Sequence, residues 1–275
     1  MDLDLSSTIP LPTGAAMPRL GLGVFRAGPG DATRNAVGWA LERGYRHIDT
    51  ARIYRNEQDV GAALASSPVP RGEVFITTKL WNDDQGYDAA LRAIDRSLAA
   101  LGVDSVDLYL MHWPVPERRL ESWRAMERAF EDGRARAIGV SNFVRRHLDE
   151  LAAHANVSPA VNQIELHPFG QQRDAVERCR ELGVVVEAYS PVTKGRRLDD
   201  RRLTAVAQEV GRTPAQVLIR WSLQKGYVAI PKSSDRARID ENASVFDFAL
   251  DDDRMARLDA LEEGLHLAWD PTDVP

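Results

Sequence analysis

The chain has 275 residues, 44% of them apolar and 28% charged, with a formal net charge of −6. That is ordinary globular composition. The acidic balance disfavours a nucleic-acid partner, and no apolar run approaches the roughly 18 residues needed to cross a bilayer.

The first residues, MDLDLSSTIP, show neither a basic segment nor an apolar one behind it, so no export signal and a cytoplasmic location are expected. Residues 7–18 (STIPLPTGAAMP) read as a small hairpin. Eight β-rich runs follow. They are RLGLGVF (19–25), YRHIDT (45–50), VFITTKL (74–80), VDLYLMHW (106–113), RAIGVSN (136–142), AVNQIEL (160–166), VVVEAYS (184–190) and YVAIP (227–231). Helical patterns separate them. In YDAALRAIDRSLAAL, Leu91, Ile94, Leu98 and Leu101 share one face. Two further helical patterns, 199–210 and 213–225, fill the gap before the eighth run. Gly44, Gly102, Gly133, Gly183 and Gly226 stand between a helix and the next strand, where a left-handed residue is wanted. Cys179 is the only cysteine, so no internal disulfide forms; its helical setting in VERCRELG predicts a reduced, half-buried thiol.

Apolar strands that alternate with helices imply a parallel sheet covered by helices. An open doubly wound sheet and a closed barrel both fit that pattern. Eight units favour a (β/α)8 TIM barrel, as one domain over residues 1–275.

Barrel chemistry sits at the C-terminal ends of the strands. Those positions hold Phe25, Asp49, Lys79, His112, Ser141 with Asn142, Gln163 with Glu165, Tyr189 with Ser190, and Lys232. Tyr54 follows the second strand after a short loop. Singly, each has a plain explanation: Asp49 as a helix cap, His112 as a core histidine, Tyr54 as rim packing. Together at consecutive strand ends, Asp49, Tyr54, Lys79 and His112 suit proton transfer to a carbonyl oxygen. A free phenol has a pKa of about 10; a nearby ammonium lowers it, and an aspartate keeps that ammonium charged. His112 would hydrogen-bond the same oxygen. No activated nucleophile and no metal-ligand cluster is evident, so a polarised carbonyl points to hydride from a cofactor.

GLGVFRAGPG (21–30) fails the dinucleotide spacing, because Arg26 stands where the third glycine belongs. IPKSSDRARIDEN (230–242) is the better phosphate signal. It follows the last strand and opens a helix, with Lys232, Ser233 and Arg238 as donors suited to a phosphomonoester such as the 2′-phosphate of NADPH. Tyr189 would stack on a nicotinamide, and Ser141, Asn142 and Gln163 would bond its carboxamide.

MPRLGLGVF, GYRHIDTARIYRNE, FITTKLW, VDLYLMHWP, RAIGVSNF, AVNQIELHP, AYSP and IPKSSDRARIDEN, in this order, resemble the aldo-keto reductase family over nearly the whole chain, and most of all its bacterial branch that contains the 2,5-diketo-gluconic acid reductases. The resemblance implies a barrel closed by a hairpin, NADPH/NADP+ as cofactor and reduction of small aldehydes and ketones by a monomer. It implies a catalytic tetrad of Asp49, Tyr54, Lys79 and His112. It assigns nicotinamide contacts to Ser141, Asn142, Gln163 and Tyr189, and adenosine-phosphate contacts to Lys232, Ser233, Arg238, Glu241 and Asn242. Gly23, Val24, Phe25, Asp49, Ser190, Pro191 and Ser234 complete the implied cofactor contacts. Phe25, Tyr54, Trp81, His112 and Trp113 are expected to line the substrate pocket, with Trp269 from the tail. Relatives often read AAIYGNE where this chain has ARIYRNE, so Arg52 and Arg55 add charge near the rim; SPVTKG (190–195) departs from the usual SPLGxG. The loop after Trp113 and the tail after Gly264 are short, so an open pocket of broad specificity is expected. Two other classes compete on residues alone: a cofactor-binding regulatory or scaffold barrel with little turnover, and a barrel hydrolase or aldolase using Lys79 as a Schiff base.

Overall fold

A computed structural model describes residues 3–275. A hairpin of β1 (Thr8–Pro10) and β2 (Ala16–Pro18) precedes eight parallel strands. These are β3 (Leu22–Gly23), β4 (His47–Asp49), β5 (Phe75–Leu80), β6 (Leu108–Met111), β7 (Ile138–Ser141), β8 (Val161–Glu165), β9 (Val185–Tyr189) and β10 (Val228–Ile230). Each pairs with the next in sequence order. Single bridges Leu20–Ala229 and Gly23–Lys232 join the first to the last and close the cylinder. The described residues therefore form a (β/α)8 barrel.

The helices are α1 (Asp31–Arg43), α2 (Glu57–Ser66), α3 (Tyr87–Leu101), α4 (Arg119–Glu131), α5 (Arg145–His154), α6 (Arg173–Leu182), α7 (Arg201–Glu209), α8 (Pro214–Gln224), α9 (Arg236–Ala243) and α10 (Asp252–Asp259). The predicted face of α3 is buried at Ile94, Leu98 and Leu101. The five predicted turn glycines all have positive φ, the conformation that costs a residue with Cβ roughly 1 kcal/mol or more.

Period-two alternation sorts the strand side chains. Ile48, Ile76, Tyr109, Ile138, Ile164 and Ala229 face outward into the shell under the helices. Phe75, Leu108, Leu110, Val161 and Val228 face inward at the lower end, where Leu11 and Met17 of the hairpin plug them. Above that apolar floor the inward positions turn polar: His47 then Asp49, Thr77 then Lys79, Glu187 then Tyr189. Gly21 makes room for the first of these, since a Cβ there would stand 2.6 Å from His47 Nδ1. Cys179 corrects the expectation of a half-buried thiol. It is fully buried in the shell, beside Asn162 Nδ2 at 3.4 Å, and burial pushes its pKa up to about 11.

Candidate active site

At the upper end of β5 the Lys79 ammonium is fully buried. It donates to Asp49 Oδ1 and Oδ2 at 2.7 and 2.8 Å, to the Thr50 carbonyl at 2.9 Å and toward the Tyr54 hydroxyl at 3.4 Å. A one-turn helix, Arg52–Tyr54, carries the phenol back over the strand ends. Buried Asn56 ties that turn down, accepting from Thr50 Oγ1 at 2.8 Å and donating to the Val24 carbonyl at 3.0 Å. Arg52 and Arg55 are exposed and point away from the cavity; Arg55 closes the turn at φ 57°, a left-handed setting that favours glycine.

His112 stands edge-on to Tyr54 and to Trp81, with ring centroids at 5.9 and 5.2 Å, and Trp113 stacks beyond it at 6.3 Å. Phe25 packs on Tyr54 at 5.0 Å. Burial, helped by the Lys79 charge, holds His112 far below the usual histidine pKa, so the ring is neutral. Burial pushes the Tyr54 phenol up to about 12; Lys79 pulls it down and Asp49 pushes it further up. This corrects the expectation that Lys79 sets a lowered pKa: the ammonium acts in the expected direction, but desolvation outweighs it. Burial also opposes the Lys79 charge, yet Asp49 and Tyr54 more than restore it and raise its pKa. A Schiff-base lysine needs a free amine, so this geometry argues against that chemistry.

Ser141, Asn142, Gln163 and Tyr189 lie across the same opening. Tyr189 Oη donates to Asn142 Oδ1 at 2.8 Å, Asn142 Nδ2 donates to the His112 carbonyl and to Ser141 Oγ at 3.0 Å each, and Ser141 Oγ donates to the Gln163 carbonyl at 2.8 Å. Gln163 Nε2 donates inward, leaving its amide oxygen without a protein donor among the described residues. The opening belongs to a cavity of about 1190 Å³ that runs from Trp81 and Trp113 to Arg238 and Asn242. At that far end stand Lys232, Ser233, Ser234, Arg238 and Glu241. Neither Lys232 nor Arg238 has a carboxylate partner among the described residues. Burial and the neighbouring Arg238 charge lower the pKa of Lys232. Two uncompensated cations beside the first turn of α9 make a ready anion site. Ser233 Oγ bonds the backbone of Asp235, which caps α9 through the Arg238 N–H.

Some predicted site residues stand elsewhere. Lys79 lies beneath the cavity wall rather than on it, the Val24 side chain is in the outer shell, and Pro191 does not reach the cavity. The Glu165 carboxylate accepts from the backbone N–H of Leu267 and Ala268 at 2.8 and 2.7 Å, so it anchors the tail. Leu267, Ala268 and Trp269 thereby wall the cavity, and the Trp269 ring lies 4.9 Å from that of Trp113. Arg26 and Lys194 also line it and carried no expectation; Lys194 Nζ donates to the Leu267 carbonyl at 2.8 Å. His47 and Glu187, beneath Asp49 and Tyr189, were legible in principle as ionisable residues at inward positions two before Asp49 and two before Tyr189.

A model described as the Aldo/keto reductase family matches residues 19–263. The chain is 49% identical over 284 aligned positions to the morphine 6-dehydrogenase of Pseudomonas putida, covering 98% of this chain and 96% of that one. It is 44% identical over 274 positions to the glyoxal reductase of Bacillus subtilis (strain 168), covering 100% and 99%. A crystal structure of a mutant of Gox0644 in complex with NADPH superposes with a TM-score of 0.93 at 42% identity, covering 98% and 99%.

Proposed function

The chain belongs to the aldo/keto reductase family, and on that premise we propose that it reduces small aldehydes and ketones to alcohols with NADPH, with Tyr54 as the general acid. The observation that carries this reading is the Lys79 ammonium, held between Asp49 at 2.7 Å and the Tyr54 hydroxyl at 3.4 Å.

NADPH, when bound, supplies the hydride. The donor set fits it: two unpaired cations for a phosphate at one end, and a free amide oxygen at Gln163 for the carboxamide at the other. Lys232, Ser233 and Arg238 would hold the 2′-phosphate, Glu241 and Asn242 the adenosine, and Tyr189 the flat face of the nicotinamide. Ser141, Asn142 and Gln163 would orient its carboxamide.

Tyr54 keeps its proton through the neutral range because burial outweighs Lys79. It gives that proton to the carbonyl oxygen as negative charge develops there. Lys79 then stands beside the phenolate and stabilises it, and Asp49 keeps Lys79 charged. His112 Nδ1 finds no partner among the described residues. A ring proton on Nε2 leaves only a lone pair orphaned and gives the carbonyl oxygen a second donor. Phe25, Trp81 and Trp113 put apolar surface beside that oxygen, and a lower local dielectric would strengthen both bonds.

The test is loss of NADPH absorbance with a panel of aldehydes and ketones. Binding of NADPH without turnover on any of them would sink this reading in favour of a cofactor-binding protein. The morphine and glyoxal in the relatives' names differ so much in size that the panel should span both.

A further inference from the structure

Glu187 is a buried acid that the mechanism above leaves unused. It sits mid-barrel on β9 with no exposed surface. Gln163 Nε2 donates to Glu187 Oε2 at 2.7 Å and to Asp49 Oδ2 at 2.8 Å, so one amide joins two carboxyl groups. Glu187 Oε1 has no hydrogen-bond partner among the described residues and lies 3.6 Å from His47 Nε2. The groups packed around it are His47 and Asp49 of β4, Thr77 and Lys79 of β5, Gln163 of β8, and Tyr54 above. Lys79 is the one cation among them, and Asp49 already holds it with both oxygens. His47 bonds Thr77 Oγ1 at 3.1 Å, and burial with the Lys79 charge drives its pKa down to about 3, so it is neutral.

We propose that Glu187 is a positioning residue for the reaction: it fixes the Gln163 amide with its oxygen toward the cavity, and its own proton sets how much negative charge lies beneath the Lys79–Tyr54 pair. This rests on the reductase reading above. Asp49 holds the Lys79 ammonium with both oxygens and also accepts from the amide nitrogen; a second acceptor at Glu187 takes the other N–H and stops the amide from pivoting. The amide oxygen is then left facing the side where a carboxamide N–H would sit. Burial and the Asp49 charge hold Glu187 well above the usual carboxylate range, at about 8, so it is uncharged at neutral pH. When it ionises, its charge raises the pKa of Tyr54.

The test uses the oxidation direction, in which an alcohol and NADP+ need the Tyr54 phenolate and the rate climbs with pH. Wild type gains the Glu187 charge before Tyr54 titrates; Glu187→Gln never does. The rising limb of Glu187→Gln should therefore lie about half to one pH unit below that of wild type. Glu187→Leu removes the acceptor and should weaken NADP+ binding by about three- to tenfold, the worth of one hydrogen bond. Glu187→Gln, whose amide oxygen can still accept, should recover most of that loss. Coincident limbs for wild type and Glu187→Gln overturn the inference, and they decide the matter even where Glu187→Leu does not fold. So does a folded Glu187→Leu that binds NADP+ as wild type does. A wild type without turnover would instead overturn the reductase reading beneath it.

Discussion

Asp49 and Lys79 meet inside the barrel with both carboxylate oxygens on one ammonium, and neither side chain reaches bulk water. Desolvating two ions is tolerable only while each has the other. Asp49→Asn leaves the ammonium without its counter-charge, and the unfolding free energy should fall by about 3–5 kcal/mol. Chemical denaturation measures this. A loss under about 1 kcal/mol would mean that other groups carry the charge of Lys79.

Tyr54→Phe removes one hydroxyl and leaves the aromatic packing on Phe25 in place. Turnover should drop at least about a hundredfold, since general acid catalysis contributes that much. NADPH affinity, measured by fluorescence titration, should change little. Near-normal turnover would take the acid role away from Tyr54.

Arg238 faces the cavity without a carboxylate partner among the described residues. Arg238→Ala should weaken NADPH about tenfold or more, the worth of a charge-assisted hydrogen bond, and NADH far less. Equal losses for the two coenzymes would mean that Arg238 does not read the 2′-phosphate.

The pH dependence of stability gives a separate check on Glu187. Its folded pKa, about 8, is above the ordinary glutamate value of 4.5. The folded protein therefore holds a proton that the unfolded chain has released. That contribution is complete below about pH 4.5 and is lost as pH rises toward 8. Glu187→Gln has no such proton, so its stability relative to wild type should climb between pH 5 and 8. Parallel melting-temperature curves across that range would show that Glu187 is ionised in the fold.

Trp269 is largely exposed yet packs on Trp113. Trp269→Ala should raise KM for aromatic aldehydes by about two- to tenfold, in line with an aromatic pair worth 0.5–1.5 kcal/mol, and leave glyoxal-sized substrates nearly untouched. Equal effects on both would place the indole outside the substrate's reach.

Much of this was visible in the residues. The runs that became β5 and β8 are β-rich, bounded and regularly spaced, and local pattern was enough. RLGLGVF shrank to Leu22–Gly23 as a paired strand, because the barrel closes there through isolated bridges rather than a continuous ladder. Asp49, Lys79 and His112 were legible because the fold assignment itself says which end of each strand to read. Glu187 and His47 lie below the rim, where the fold assignment points to no chemistry, although the alternation that puts Lys79 inside puts them inside as well. The tail was a different case. Glu165 holds Leu267 across about a hundred residues of chain, and no local periodicity encodes a contact of that kind. The Tyr54 pKa failed for an energetic reason: a sequence names the neighbouring charge but not the depth of burial that opposes it.

Leu11 and Met17 stopper the cylinder from below, which makes it a blind well rather than a pipe. His47 and Glu187 lie above that stopper with no exposed surface, so the shaft opens on the Tyr54 side and a ligand seated there would cover them.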